Sequence, residues 1–419
     1  MKYKTYNCNS FNIYTIKTDR FKTSHLEVIF KNVLKKEEIG TYSFLADMLS
    51  EGCKKYPRKK DLITRFEELY KIVIYASTMR VGNVIDLHVS LDFINPEYIE
   101  DEGYIEDVIK TLFEVILNPN VCNDEFDLKT FNIVKERLRR EINSLKENPV
   151  KQSIKEAIKT MDSNSPTSYE ILGTIEELEN ITPAKLYNAY KSLRKNFKVD
   201  VFLIGNLDMD NVAGLIKKYF KNRYIVSDNF EVMVDNKETK KVKEKTMKSD
   251  NIQTNLVMLF NLKNLSELEK NITLNCFNYL YGSGGLTSKL YKSIREENSL
   301  CYAINSMYLK YDKLLMVQIS LDNCNVKKAI SLVKKELKSM QNGNFSEEEV
   351  RDAINNMVIS LDMSLDNNIA ILNNYVFNIY DKLPSIEERK EYFKKLTKED
   401  IVNVSKKVKL NTIFTLEGR

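Results

Sequence analysis

Histidine, the commonest catalytic and metal-binding side chain, occurs only twice in this 419-residue chain, as His25 and His88. A catalytic zinc centre takes three protein ligands, commonly including two histidines one helical turn apart. The two imidazoles lie far apart in sequence, each within strand-like alternation, so no such pair exists and no zinc is expected here. His88, in Val84-Ile85-Asp86-Leu87-His88-Val89-Ser90-Leu91, reads as a strand side chain. The cysteines (Cys8, Cys53, Cys122, Cys276, Cys301, Cys324) form no Cys-x-x-Cys pair, and neither Cys53 nor Cys301 has a local His or acid partner. That sets aside thiolate metal sites and a cysteine protease. Gly282-Ser283-Gly284-Gly285 lacks a following Gly-Lys-Ser/Thr, so it is read as a turn or hinge rather than a phosphate cradle. Arg295, near the end of a helical stretch, and Tyr302, on the strand after it, are placed to converge at one corner.

The elements that position these residues follow from periodicity. Leu26–Phe30 reads as a strand leading into a helix whose apolar face is Tyr42, Leu45, Met48 and Leu49. A helical pattern over residues 60–70 precedes two alternating strands, 72–77 and 84–91. Helices follow at 104–117, stopped by Asn118-Pro119, at 126–146, and from Thr182-Pro183 onward. The strand 199–205 and the helix 210–220 close a first half. A second half repeats the pattern with a strand at 256–260, a helix at 268–281, and a glycine turn with a helix at 286–297. Strands at 302–308 and 314–321 come next, then helices. In the helix at 286–297, Leu286, Leu290 and Ile294 are expected on the buried face, and the helix is expected to end near Asn298, a residue tolerant of the left-handed conformation. The charge-dense stretch around 235–245 marks the connection. The expected domains are thus 1–225, a linker at 226–249, and 250–419. The expected fold is α+β, each half a mainly antiparallel sheet with helices packed on one face.

Composition narrows the function classes. With 43% hydrophobic and 29% charged residues, the chain has the make-up of a globular protein of more than one domain. Lys and Arg number 64 against 59 Asp and Glu, and this balance gives no reason to expect nucleic acid or an anionic membrane as partner. No apolar run approaches the ~18 residues of a membrane span. The opening Met1-Lys2-Tyr3-Lys4-Thr5 has no apolar signal core, so a cytoplasmic location with reduced thiols is expected.

Ser43-Phe44-Leu45-Ala46-Asp47-Met48-Leu49-Ser50-Glu51-Gly52-Cys53 resembles the active-site helix of the pitrilysin/insulinase family of zinc peptidases, in which His-x-x-Glu-His precedes Met-Leu and a Gly. On this resemblance Ser43 and Asp47 stand where two metal-binding histidines belong, and Ala46 where the general base belongs. Glu141, in Arg139-Arg140-Glu141-Ile142, corresponds loosely to the distal metal ligand, at a longer interval than usual. Asp47 and Glu141 could meet as two carboxylates suited to a hard cation or a shared proton; the alternative is that both are solvated or paired with Lys or Arg. Gly284-Gly285-Leu286-Thr287-Ser288-Lys289-Leu290, running on to Arg295 and Tyr302, resembles the family's substrate-binding half. There the equivalent Arg and Tyr bond the substrate backbone and support the oxyanion. Ala76-Ser77-Thr78 resembles the edge strand that adds a peptide, although Tyr75 replaces the usual Asn. Gly282, Gly284 and Gly285 would then be a hinge beside the peptide cleft.

The resemblance implies a clam-shaped fold like that of the mitochondrial processing peptidase. It also implies a zinc-less subunit of a bacterial heterodimeric peptidase, which lends Arg295 and Tyr302 to a homologous partner that carries the zinc and acts on a peptide substrate. The alternative implied by the family is a proteolytically inactive scaffold or maturation factor. Examples are the core subunits of respiratory complexes and a bacterial branch associated with modification of elongation factor P.

Overall fold

Alternation along the strands decides how this chain is layered. The structure, a computed structural model, describes residues 3–222, 224–381 and 383–419. Its elements begin β1 (Lys4–Cys8), β2 (Phe11–Lys17), β3 (Thr23–Val33), α1 (Ile39–Leu49), α2 (Lys59–Glu68), β4 (Val73–Val81), β5 (Val84–Ile94) and α3 (Tyr104–Leu117). A short ribbon of β6 (Val121–Cys122) and β7 (Glu125–Phe126) leads to α4 (Leu128–Glu147), α5 (Pro149–Asp162), α6 (Ile175–Glu179) and α7 (Pro183–Asn196). Then come β8 (Lys198–Gly205), α8 (Met209–Tyr219), β9 (Lys243–Lys248) and β10 (Thr254–Leu262). A helical stretch with π-helical turns at each end contains α9 (Leu274–Asn278), and a further π-helical turn spans Tyr291–Glu296. The chain ends with β11 (Cys301–Leu309), β12 (Leu314–Leu321), α10 (Val326–Gln341), α11 (Glu347–Ser364), α12 (Asn368–Asp381), α13 (Ile386–Lys394), α14 (Lys398–Ser405) and β13 (Val408–Glu417).

The two main sheets run β1-β2-β8-β3-β5-β4 and β11-β12-β10-β13-β9. Their pairings repeat. In the first, β8 lies parallel to β2 and antiparallel to β3; in the second, β13 lies parallel to β9 and antiparallel to β10. The duplicated α+β plan expected from the sequence is therefore present, with β4 and β11 as corresponding edge strands.

The expectation of helices on one face only is incomplete. On the first sheet, Leu26, Val28 and Phe30 of β3 pair with Leu91, Val89 and Leu87 of β5 and join the helical core. The opposite face of the same strands carries Glu27, Lys31, Asp86 and His88, all buried. It is met by α12, whose Tyr380 hydroxyl donates to the Asp86 carboxylate at 2.6 Å and whose ring lies 5.4 Å from Lys31 Nζ. On the second sheet the corresponding cover is α5, whose Ala157 and Met161 pack on Val257, Leu259, Met316 and Phe414. The chain accordingly forms two compact units that are not contiguous: residues 1–143, 169–232 and 367–380, and residues 144–168, 233–366 and 381–419. This differs from the uninterrupted ranges expected at 1–225 and 250–419.

The stretch 226–249 is also more than a linker. Val232 and Val234 are buried, the Val234 N–H donates to the Tyr311 carbonyl, and 243–248 form β9. Its sequence, Lys-Glu-Lys-Thr-Met-Lys, is mostly exposed and carries no apolar alternation, which is why periodicity missed it.

The polar face of the first sheet contains an ionic network. Lys31 Nζ lies 2.6 Å from Asp200 and 3.6 Å from Asp228. Burial disfavours its charge, but those carboxylates override burial and hold the lysine above its ordinary range. His88 Nδ1 bonds Glu27 at 2.7 Å, and its Nε2 stands 3.7 Å from Asp86. Burial alone would lower its pKa; Asp86 and Glu27 instead raise it from 6.5 to about 9. The charged imidazolium is thus the folded-state form at neutral pH. Its contribution is complete below about 6.5, the unfolded value, and is lost as pH rises through about 9. His88→Gln should cost about 3 kcal/mol near neutrality, because it leaves buried carboxylates without their cation. Urea unfolding of wild type and variant at successive pH values should show this gap narrow above pH 9, and a constant gap would contradict the assignment.

Candidate functional site

Helix α1 is buried around almost its whole circumference, so its side chains are fixed by their neighbours. Ser43 donates to the carbonyl of Ile171, and its Oγ lies 2.6 Å from Thr78 Oγ1, placing the Thr78 hydroxyl as donor to Ser43. Ala46 contributes its methyl to the hydrophobic core. Asp47 sits at the rim. Its Oδ2 lies 3.2 Å from Arg137 Nη2 on α4, while Nη1 of the same guanidinium donates to Glu51 at 2.8 Å. Lys59 adds a second cation, 3.7 Å from Glu51. Burial raises the Asp47 carboxyl above its usual range against the pull of Arg137. Glu141, one turn beyond Arg137 on α4, is exposed. The partner of Asp47 is therefore a cation rather than a second carboxylate, one of the alternatives open from the sequence.

These donors do not fit a zinc ion. One motif position is a hydroxyl already engaged twice, one is a methyl, and one is a carboxylate held by a guanidinium. Among the described residues no group of three or more His, Cys, Asp or Glu stands close enough to hold a metal.

The edge strand β4 leaves one side unpaired. Two of the three residues singled out there are tied to α1 or its end: the Ala76 N–H donates to Ser50 Oγ at 2.9 Å, and Thr78 meets Ser43. Ser77 between them is exposed.

In the second unit, the chain leaves the Tyr291–Glu296 turn through Ser299, which has φ +52°, so Ser299 rather than Asn298 takes the left-handed conformation. Leu290 and Ile294 are fully buried, but Leu286 is exposed, because residues 285–287 form a separate 3₁₀ turn instead of continuing the helix. Gly282 lies in helical backbone, where an added Cβ would fall 2.6 Å from Ser306 Oγ; Gly284 abuts the Tyr279 carbonyl. Only Gly285, at φ +58° with open space around it, is required purely for its backbone conformation. Arg295 is exposed, stacks 5.1 Å over Tyr291, and makes no ion pair among the described residues. Its charge reaches Cys301, drawing that thiol's pKa down against the larger effect of burial. Tyr302, 54% exposed at the start of edge strand β11, donates to Asp322 at 3.1 Å, and that bond lifts its phenol above the usual range. Arg295 and Tyr302 are thus close in sequence and solvent-facing, each with a different immediate partner.

Sequence reasoning missed Arg137, Asp322 and the Ser43–Thr78 bond. Arg137 carries a weak signal, since on α4 it flanks the buried stripe Phe131, Val134, Leu138 and Ile142. The other two join residues distant in sequence and had none.

Comparison with known proteins agrees with this geometry. Residues 180–357 match the family described as the peptidase M16 inactive domain. Over 412 residues the chain is 26% identical to the probable inactive metalloprotease YmfF of Bacillus subtilis (strain 168), covering 96% of this chain and 95% of that protein. Among solved structures, a conserved protein from Enterococcus faecalis V583 superimposes with a TM-score of 0.94 at 23% identity, covering 100% of this chain and 99% of that one. A peptidase M16 inactive domain from Pseudomonas fluorescens gives 0.82 at 16% identity, with the same coverage. Over residues 180–357 the chain matches the peptidase M16 inactive domain, and along its length it resembles an M16-type peptidase homologue without the zinc motif. Among the described residues no helix is long and apolar enough to cross a membrane.

The purified chain, dialysed after exposure to zinc, should retain no stoichiometric metal and cleave no peptide alone. One tightly held zinc per chain with chelator-sensitive proteolysis would contradict the reading of Ser43, Ala46 and Asp47.

Proposed function

We propose that this inactive M16 homologue works as the non-catalytic, cytoplasmic subunit of a two-chain peptidase, lending Arg295 and Tyr302 to a homologous partner that carries the zinc. The observation that carries this reading is Arg295. Its guanidinium is exposed, oriented by stacking on Tyr291, and engaged by no carboxylate among the described residues. A side chain with five donors in a fixed fork is suited to a peptide carbonyl or a developing oxyanion. Tyr302 adds a phenol at the head of edge strand β11.

The residues around Ser43 support a division of labour. The motif helix is packed as a structural element, so bond cleavage falls to the partner and substrate positioning to this chain. Extended peptide would pair with an edge strand, and the free side of β4 around Ala76, Ser77 and Thr78 is the candidate, entered mainly at exposed Ser77. The second reading, a scaffold or maturation factor such as one associated with elongation factor P, is favoured by the bond between Tyr302 and Asp322, which gives the phenol a role within its own unit.

The test is made in the assembled pair. Arg295→Ala and Tyr302→Phe should each lower kcat, by about 10²–10³ for a lost oxyanion donor, with a smaller change in KM and normal assembly. Full activity in both variants, with assembly intact, would favour the scaffold.

A further inference from the structure

The motif helix places two carboxylates side by side. Asp47 lies on α1 and Glu51 just past its end, and both carboxylates are partly withdrawn from water, their side chains 29% and 11% exposed. Carboxylates this close repel each other, and withdrawal from water strengthens the repulsion. A cation between them relieves that repulsion.

Arg137 supplies it from the facing helix. Nη2 takes Asp47 at 3.2 Å and Nη1 takes Glu51 at 2.8 Å, so one planar fork spans both carboxylates. Lys59 reaches only Glu51, at 3.7 Å, while its ammonium donates to the Ser50 carbonyl. Ser43, at the other motif position, is bonded to Thr78 and the Ile171 carbonyl, so an ion there would have to compete with those bonds.

We propose that Arg137 is a built-in replacement for the metal: its guanidinium joins α1 to α4 through Asp47 and Glu51, and it keeps divalent ions out of this helix pair. The consequence is that α1 and α4 stay joined whether or not divalent metal is present. Lysine at position 137 would preserve the charge but, as a point donor, would satisfy one carboxylate better than two.

The experiment compares thermal unfolding and manganese binding in the full chain. Wild type should show the same melting midpoint in chelator and in millimolar Mn²⁺. Arg137→Met should melt lower in chelator, regain much of that loss in Mn²⁺, and bind Mn²⁺ at least tenfold more tightly than wild type in a paramagnetic titration. Arg137→Lys should fall between the two. Asp47→Asn/Glu51→Gln/Arg137→Met, with charge removed from both sides, should fold without any response to Mn²⁺, which locates the effect at this site even if the single variant is poorly stable. An Arg137→Met chain as stable as wild type and no more responsive to Mn²⁺ would overturn the proposal, as would a wild type that melts lower in chelator.

Discussion

A sheet has two faces, and in this protein one layer of helices covers only one of them. Everything else in the fold accommodates that constraint. The strands of the second sheet are apolar on both sides, and α5 supplies the missing cover through Ala157 and Met161. The first sheet instead presents Glu27, Lys31, Asp86, His88 and Asp200 to its second face, and α12 covers them with Tyr380 bonded to Asp86. Both covering helices come from the opposite half of the sequence, so neither unit is complete from contiguous chain. Burial of apolar surface drives the first cover, whereas the second depends on pairing every buried charge.

The same physics explains how the helix that resembles the family's zinc-binding helix is packed. A metal site joins elements by strong, directional bonds, and removing its ligands ordinarily leaves unsatisfied polar groups. Here the positions are filled by ordinary protein chemistry. Ser43 closes a hydroxyl and carbonyl cluster, Ala46 joins the core, and Asp47 enters an ion pair. The result is a helix whose side chains are taken up by packing and hydrogen bonding within its own unit.

The sequence by itself determined the class of fold, the duplication and the loss of the metal motif, because each is written in local or counted features. Ser43, Ala46 and Asp47 replace the His-x-x-Glu-His residues wherever the chain folds, and alternation at 84–91 or helical spacing at 104–117 survives in the structure nearly to the residue. Tertiary structure alone decided which helices cross between units, that β9 lies within the charged connection, that Leu286 faces solvent, and that Arg137 rather than Glu141 meets Asp47. The physical reason is common to all four. Periodicity records which face of an element is apolar, but not which partner covers that face, and a charged side chain carries no local mark of the opposite charge it will meet ninety residues away, as Arg137 meets Asp47.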